Sequence, residues 1–456
     1  PFMSIVVVLS IALLGAEPKS FVLNAPVDVW DVTQADLNND GLADIIAYCS
    51  DATALEPTKE FAIFLATAAG RYPTNPTLRF PLDGMNGTAF VTEFDGAPPI
   101  EIVVAQQDHA QVYRLESGVM SAVERVDWDS LWPNGTREPI FSRDTIHDLD
   151  GDTVDEWLIP TPRGVGVYSQ GRLRAEIPKP TASEFREFGN LSIMHRLPAV
   201  TSFLLPDEPL KAIGLLSDRY ADFSYGPEWS RYERYRIAVD SDENWDTAAR
   251  LKDIDADGYP DLVVTQTSGT VNLEVLTQIY FADGPFTYPK TPDVEFTNKG
   301  SFTTVELADV DGDGKQDLIL VRIPLGIRNI ISYFLRKRVG IEVAVHYFDG
   351  KGFGSKPDRT ADITIDAPDG RERSAYAMGD FDGDGRLDVA IGTEEDEMVV
   401  YRGTESEFLN TRPWVTFGFP TFGVARTADL NGNDADDLVL HHPSGANKRR
   451  IEVVLF

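Results

Sequence analysis

The nine residues from Asp309 to Asp317, DVDGDGKQD, decide how this chain folds. They place carboxylates at offsets 0, 2, 4 and 8 from the first aspartate. Calcium binds six to eight oxygens in a flexible geometry, and alternate residues of a tight loop point inward. The backbone carbonyl at offset 6 and the carboxylate at offset 8 can close the shell, while a glycine at offset 3 or 5 permits a left-handed turn. The stretch therefore predicts a calcium-binding loop.

The same loop occurs six times in the chain, and the copies predict up to six bound Ca²⁺ ions. The predicted ligands are Asp36, Asn38, Asp40, Leu42 and Asp44; Asp148, Asp150, Asp152, Val154 and Glu156; Asp253, Asp255, Asp257, Tyr259 and Asp261; Asp309, Asp311, Asp313, Lys315 and Asp317; Asp380, Asp382, Asp384, Arg386 and Asp388; and Asp429, Asn431, Asn433, Ala435 and Asp437. The residue at offset 6 contributes its carbonyl. Crowded carboxylates repel one another without a cation, so a metal-free turn is the poorer interpretation. We expect the last loop, which has Asn431 and Asn433 in place of aspartates, to bind calcium more weakly.

The spacing of the loops predicts the number of structural repeats. The first aspartates lie at 36, 148, 253, 309, 380 and 429, and the two wide gaps each fit two repeats. A degenerate copy is expected near Glu93, Asp95 and Glu101, and another at 206–209, and neither is expected to bind calcium. Apolar, β-branched runs flank the loops, so each loop joins two strands, unlike an EF-hand.

A repeat of this length predicts a solenoid, a propeller or an array. Short strands separated by Gly, Pro and Asp turns favour an all-β fold, a single β-propeller of four-stranded blades. Eight blades are predicted, with seven as the alternative if the stretch near 206 is an insertion. The last unit lacks one strand and the first has one to spare, so Lys19 to Ala25 should pair with Arg450 to Phe456 and close the ring.

The loops and their flanking strands resemble the FG-GAP or VCBS repeats of the integrin α-chain propeller and its bacterial relatives. The resemblance covers about residues 19–456, and the degenerate copies at 93–101 and 206–209 depart from it. It implies a propeller whose ligand, a protein or a glycan, binds on the loop faces or in the central channel. It also implies calcium at the intact loops.

Composition and the chain ends indicate a compartment. The formal net charge of −32 excludes nucleic acid as a partner, because binding to phosphates requires basic residues. Residues 1–16 form an apolar segment typical of a signal peptide, with a retained membrane or packing segment and an extra strand as alternatives. Residues 17–456 form the predicted propeller. Cys49 is the single cysteine, expected in the core. We expect an extracellular, periplasmic or cell-surface protein.

Residues 325–340 interrupt the repeat pattern as a basic and apolar segment. Ile327, Ile331, Phe334 and Leu335 recur at helical spacing, and Arg336 begins a basic cluster. This pattern predicts either an amphipathic helix that contacts a membrane surface or a partner, or a helix packed on its own propeller. Aromatic residues also crowd 225–245, and they indicate packing between blades or a docking surface.

Three functions fit the sequence. The leading hypothesis is an exported, calcium-stabilised scaffold for binding or adhesion, without enzymatic activity, since no catalytic motif stands out. The alternatives are a propeller enzyme that cleaves acidic polysaccharides by elimination and a peripheral subunit of an envelope assembly.

Overall fold

The computed structural model describes residues 17–51, 58–178, 182–188, 190–206, 208–237, 245–269, 273–367, 373–404, 408–409 and 412–456. The apolar segment 1–16 and Asp207 of the second degenerate copy lie outside this part of the chain. The described strands form eight four-stranded antiparallel blades arranged in a ring. The predicted all-β propeller of eight blades is therefore confirmed, and the seven-blade alternative is wrong.

Blades one to four follow one another along the chain. Blade one consists of β2 (Val29–Ala35), β3 (Asp44–Ser50), β4 (Lys59–Phe64) and β5 (Leu78–Leu82). Blade two consists of β6 (Thr88–Thr92), β7 (Glu101–Ala105), β8 (His109–Glu116) and β9 (Val119–Asp127), and the short β10 (Ile140–Phe141) pairs in parallel with β6. Blade three consists of β11 (Ile146–His147), β12 (Glu156–Thr161), β13 (Gly164–Ser169) and β14 (Arg172–Pro178). A hairpin, β15 (Ala182–Phe188) and β16 (Asn190–Arg196), precedes blade four, which consists of β17 (Ala199–Phe203), β18 (Ala212–Leu216), β19 (Tyr220–Tyr225) and β20 (Arg231–Arg236).

Blades five to eight complete the ring, and the last blade takes its outer strand from the start of the described chain. Blade five consists of β21 (Asp246–Lys252), β22 (Asp261–Ser268), β23 (Glu274–Tyr280) and β24 (Val294–Lys299). Blade six consists of β25 (Ser301–Ala308), β26 (Asp317–Pro324), β27 (Arg338–His346) and β28 (Arg359–Asp366). Blade seven consists of β29 (Tyr376–Gly379), β30 (Asp388–Glu394), β31 (Glu397–Tyr401) and β32 (Val415–Phe417). Blade eight consists of β33 (Val424–Ala428), β34 (Asp437–His441), β35 (Arg450–Leu455) and β1 (Lys19–Asn24).

The ring closes through blade eight as the sequence predicts. Strand β1 pairs antiparallel with β35, with Lys19 opposite Leu455 and Asn24 opposite Arg450. The pairing satisfies the edge of β35, which would otherwise present free backbone groups.

The core lies between neighbouring blades. The second strands are almost wholly buried, as in β3, where all seven residues are inaccessible. Their side chains alternate between the two adjacent blades, so Ile46 and Tyr48 of blade one pack with Ile102 and Val104 of blade two. Cys49, on the same strand, is buried as expected and packs on the other side of blade one with residues of blade eight, such as Val439 and Ile451.

The propeller has two faces that the strand order defines. Because the strands of a blade are antiparallel, the turns after the first and third strands lie on one face, here called the loop face. The turn after the second strand and the link to the next blade lie on the opposite face. The six acidic loops all follow a first strand and therefore share the loop face.

A single α-helix, α1 (Ile327–Arg336), lies on the opposite face within the described residues. It joins β26 to β27, and the Asn329 side chain fixes it by donating to the carbonyls of Pro324 and Gly340. Ile327, Phe334 and Leu335 are 77%, 72% and 79% exposed. The interpretation that the helix packs its apolar side chains on its own propeller is thus wrong for these residues. No helix in the described part of the chain has the length and apolar character needed to span a membrane.

The aromatic residues of blade four divide between core and surface. Trp229 is buried among residues of blades three and four, and its indole N–H donates to the Lys211 carbonyl. Tyr235 packs against Tyr280 and Tyr288 of blade five. Tyr232 is largely exposed, and its hydroxyl donates to Asp222. Packing between blades is therefore confirmed for Trp229 and Tyr235.

Candidate metal centres

The six loops share one backbone conformation. In every loop the residues at offsets 3 and 5 have positive φ angles, between 56° and 89°. These residues are Asn39 and Gly41, Gly151 and Thr153, Ala256 and Gly258, Gly312 and Gly314, Gly383 and Gly385, and Gly432 and Asp434. The two left-handed positions turn the chain back on itself, as the glycine pattern predicts, although four loops have a non-glycine residue at one of them.

The first carboxylate of each loop caps this turn. In blade six, Asp309 accepts hydrogen bonds from the backbone N–H groups of Gly312 at 2.7 Å, Asp313 at 3.1 Å and Gly314 at 2.8 Å. The offset-4 side chain has a similar local role, because Asp313 accepts the N–H of Lys315 at 2.9 Å. The corresponding offset-6 N–H groups, those of Leu42, Val154, Tyr259, Arg386 and Ala435, donate to the offset-4 side chain in the other five loops.

The offset-8 carboxylate connects parts of the blade that are distant in sequence. Asp317 accepts the N–H of Val310 at 3.0 Å with one oxygen and the N–H of Phe348, after the third strand, at 2.9 Å with the other. Asp44, Asp261, Asp388 and Asp437 make the same pair of bonds in their blades. Sequence reasoning assigned this residue only to calcium. In all six loops the offset-8 residue is the first residue of the second strand. This constant position could have indicated that the residue also has a structural role.

Four loops bring three carboxylates together, with one ligand atom of each within 4.8 Å of the others. The groups are Asp148, Asp150 and Glu156; Asp253, Asp255 and Asp261; Asp309, Asp311 and Asp317; and Asp380, Asp382 and Asp388. Each group unites offsets 0, 2 and 8 and leaves out the offset-4 carboxylate. These four groups could hold metal ions.

The loops of blades one and eight have asparagine at offset 2. Asn38 accepts the N–H of Asp40 at 3.0 Å. In blade eight, Asn431 donates to Asp437 at 3.2 Å and Asn433 donates to the Phe456 carbonyl at 2.9 Å. These amide groups connect the last loop to Asp437 and Phe456, and its weaker binding of calcium stays a prediction.

Buried oxygens without a donor test whether a cation fits. One carboxylate oxygen each of Asp150, Asp253 and Asp382 is buried and has no hydrogen-bond partner among the described residues. A buried polar atom without a partner is unfavourable, and an inward-facing carboxylate oxygen is the ligand that a hard cation such as calcium prefers. The residues present in these loops therefore fit calcium.

Burial disfavours the ionised form of the offset-8 carboxylates in the metal-free protein. It raises the pKa of Asp261 and Asp388 to about 7 and that of Asp44, Asp317 and Asp437 to about 6, and the other carboxylates of each loop contribute to the increase. A bound cation favours the ionised form and acts in the opposite direction.

Arginine contacts distinguish the loops from one another. In blade three, Arg174 from β14 donates to Asp150 at 2.7 Å and to Glu156 at 2.8 Å, so its guanidinium group bridges two predicted ligands. Although burial opposes it, this arginine lowers the pKa of Asp150. In the degenerate loop of blade two, Arg114 donates to Asp95 at 2.6 Å and also to Glu101. No nearby sequence pattern indicated either arginine.

Blades seven and four show two further arrangements. The Arg402 guanidinium group lies 2.9 Å from Asp382 and packs on the ring of Trp414. In blade four the described part of the degenerate loop contains Glu208, which pairs with Arg231 at 2.7 Å.

Comparison with protein-family models matches residues 253–320 and 343–440 to the FG-GAP-like repeat. These two segments carry FG-GAP-like repeats. Both matched ranges include acidic loops of blades five to eight, and the strand order gives the FG-GAP-like units four strands each. Comparison with curated proteins finds no match.

Several solved structures resemble this chain at low identity. The crystal structure of the V. cholerae biofilm matrix protein Bap1 is 12% identical, with 96% of this chain and 88% of that chain covered and a TM-score of 0.45. The WD40 domain of SCAP from fission yeast is 8% identical, with 96% and 94% covered and a TM-score of 0.40. BBS1N in complex with ARL6DN is 9% identical, with 95% of each chain covered and a TM-score of 0.39. The blade count rests on the strand order of the chain itself.

Proposed function

We propose that this chain is an exported, calcium-stabilised propeller that serves as a binding or adhesion scaffold for a protein or glycan partner, without enzymatic activity. The observation that carries the proposal is the repeated carboxylate group at the same position of four blades. Because all these groups lie on the loop face, calcium fixes the turns of that face relative to the core. A rigid ring with many loops is then available for binding.

The proposed ligands are the oxygens at offsets 0, 2, 4 and 8 and the carbonyl at offset 6 of each intact loop. The groups of blades five, six and seven are the strongest candidates, because each collects three carboxylates and none has an arginine bridging two of them. The blade-three loop must displace Arg174 from Asp150 and Glu156 before an ion can bind. We therefore place its affinity for calcium below that of the loops in blades five, six and seven.

Export suits these sites, since millimolar external calcium can saturate weak loop sites. The acidic composition, with 73 Asp and Glu against 41 Lys and Arg, also agrees with a protein that recruits cations. Residues 1–16 are proposed to direct this export.

The calcium part of the proposal is tested by calorimetric titration of the chelator-treated full chain, with elemental analysis of the saturated protein. We expect several ions per chain and a calcium-dependent rise in melting temperature. A chain that binds no metal and melts at the same temperature in excess chelator would contradict the proposal.

The scaffold part needs a separate assay. The full chain is immobilised and probed with neutral and uronate-containing polysaccharides, with and without calcium, while the ultraviolet absorbance of the solution is followed for unsaturated products. Retention of a glycan without such products supports a binding scaffold. Accumulation of unsaturated products would instead establish a polysaccharide-cleaving enzyme.

A further inference from the structure

The inner strands of three blades line an open pocket of about 330 Å³ in the central channel, here called the cavity. It lies between β2 of blade one, β29 of blade seven and β33 of blade eight, with Arg143 from the segment after β10. Its polar lining residues are Gln34, Arg143, Arg426 and Thr427, and the rest are two alanines and a methionine. None of these lining side chains is acidic, although the chain carries a net charge of −32.

One buried carboxylate serves both arginines of this cavity. Asp31 on β2 lies 3.0 Å from Arg143 and 3.0 Å from Arg426. It also accepts the backbone N–H groups of Val32 and Phe141, both at 2.9 Å. Its two oxygens therefore have their hydrogen-bonding capacity filled, and Asp31 can offer little further compensation to either guanidinium group.

The two arginines differ in how far their donors are used. Arg143 donates twice to Asp31 and also to the carbonyls of Phe141 and Val32, so its terminal nitrogens are committed. Arg426 makes one hydrogen bond, to Asp31, within the described part of the protein. Its Nε is buried and has no partner there. Arg426 lines the cavity and thus retains donors that no described residue accepts.

The charges of this cluster do not balance. Two guanidinium groups share one carboxylate, which leaves one positive charge in excess. The neighbouring His441 is neutral, because burial lowers its pKa to about 4. An uncompensated charge in a partly buried site is unfavourable, and a second anion would remove the imbalance.

We propose that this cavity binds a single oxyanion, a carboxylate or phosphate group, through Arg426. The guanidinium fork matches such groups with two parallel hydrogen bonds, and Gln34 and Thr427 add polar contacts at the cavity wall. The volume suits one acidic sugar or a small organic phosphate. The inference rests on the proposed binding function for the origin of the group, but it needs no calcium at the loops.

The test uses the full chain in calcium-containing buffer at constant ionic strength, titrated with sodium glucuronate, inorganic phosphate and glucose. Wild-type protein should bind one or both anions and not glucose, and the anion that binds identifies the source of the group. Arg426→Gln should weaken binding about tenfold or more, because a charge-assisted hydrogen bond is lost. The control is Arg250→Gln, since Arg250 on β21 is already paired with Glu306 at 3.2 Å, and it should bind like wild type.

If Arg426→Gln does not fold, protection of wild-type protein replaces the variant. Arginines are modified with phenylglyoxal and mapped by mass spectrometry, with and without the anion. Selective protection of Arg426 over Arg250 supports the site. Absence of anion binding above that of glucose, equal binding by both variants, or equal modification of both arginines would overturn it and would leave only a structural role that links blades eight and one. None of these results bears on calcium at the loops.

Discussion

The loops of blades six and three have the same acidic pattern but different surroundings. In blade six, Asp309, Asp311 and Asp317 converge, and no arginine among the described residues bridges them. In blade three, Arg174 bridges Asp150 and Glu156. The repulsion within a crowded carboxylate cluster can thus be offset by an ion from solution or by a guanidinium group from the same blade. In blade two the loop is degenerate, and Arg114 donates hydrogen bonds to its remaining carboxylates, Asp95 and Glu101.

The largest effect should come from removing calcium from all the loops at once. At a free calcium concentration one hundred times the dissociation constant, each site adds about 2.7 kcal/mol to the free energy of unfolding. Excess chelator should therefore lower the melting temperature by many degrees. Scanning calorimetry in calcium and in chelator measures the difference. A shift confined to a degree or two would mean that the blade-six arrangement also needs no ion.

The pH dependence should reverse when calcium is added. Unfolded carboxyl groups titrate near pH 4, whereas Asp261 and Asp388 in the folded, metal-free protein have pKa values of about 7. Between these values the folded state holds more protons, so its stability falls as the pH rises. Calcium binds to ionised ligands, so its affinity, and the stability that it adds to the folded protein, should increase as the pH rises.

Urea unfolding at pH 5 and pH 8 measures this reversal. In chelator the midpoint should be higher at pH 5, and in calcium it should be higher at pH 8. The same direction under both conditions would show that the buried carboxylates do not bind the ion.

Matched substitutions at offset 2 separate the two kinds of loop. At a calcium concentration that saturates only the loops with three carboxylates and no bridging arginine, Asp311→Asn should lower the ion count by one, as measured by calorimetric titration, and remove up to about 2.7 kcal/mol of calcium-dependent stability. Asparagine keeps the acceptor for the N–H of Asp313, so the turn is preserved. At the same calcium concentration Asp150→Asn should leave the ion count unchanged. Equal losses would place an ion in blade three despite Arg174.

Removing the bridging arginine should convert blade three into the blade-six type. Arg174→Gln leaves Asp150 and Glu156 without their partner and should cost about 2 kcal/mol of unfolding free energy in chelator. At a calcium concentration too low to displace Arg174 in the wild-type protein, the loss should disappear and the number of bound ions should rise by one. Arg172→Gln, on the same strand, is the control. An unchanged ion count in the Arg174 variant would show that the arginine does not occupy the ion's place.

The smallest expected change in stability comes from the left-handed backbone positions that all six loops share. Ala256 in blade five has a φ of 61°, a conformation that is unfavourable for a residue with a Cβ. Ala256→Gly should therefore raise the unfolding free energy by about 1 kcal/mol. Ala248→Gly in the exposed strand β21 should instead lower it by a similar amount. Equilibrium unfolding in urea distinguishes the two signs.

The ring could be predicted because its signals are local and repeated. Six loops in phase gave the period, the wide gaps revealed the two degenerate units, and the spare strand at Lys19 indicated closure. Features without a repeat were missed, such as β10 and the hairpin of β15 and β16. Each has no counterpart in the other blades, so no periodicity could indicate it.

The candidate sites were predictable only within nine residues. Offsets 0, 2 and 8 converge as expected in four loops, because the turn itself brings them together. Arg174 lies 18 residues after Glu156, and Arg143 lies 112 residues after Asp31. Such contacts depend on strand register and on which blades become neighbours, and a single sequence does not specify those distances.

Closure by β1 has a consequence for the order in which the molecule can be made. Strand β1 leaves the ribosome early, but its partner β35 follows more than 400 residues later. At ordinary rates of synthesis this interval lasts about half a minute. Throughout it β1 is an unpaired strand, available to any other copy that offers a free β35 edge. During synthesis β1 is therefore exposed to pairing with another copy until β35 (Arg450–Leu455) has been made.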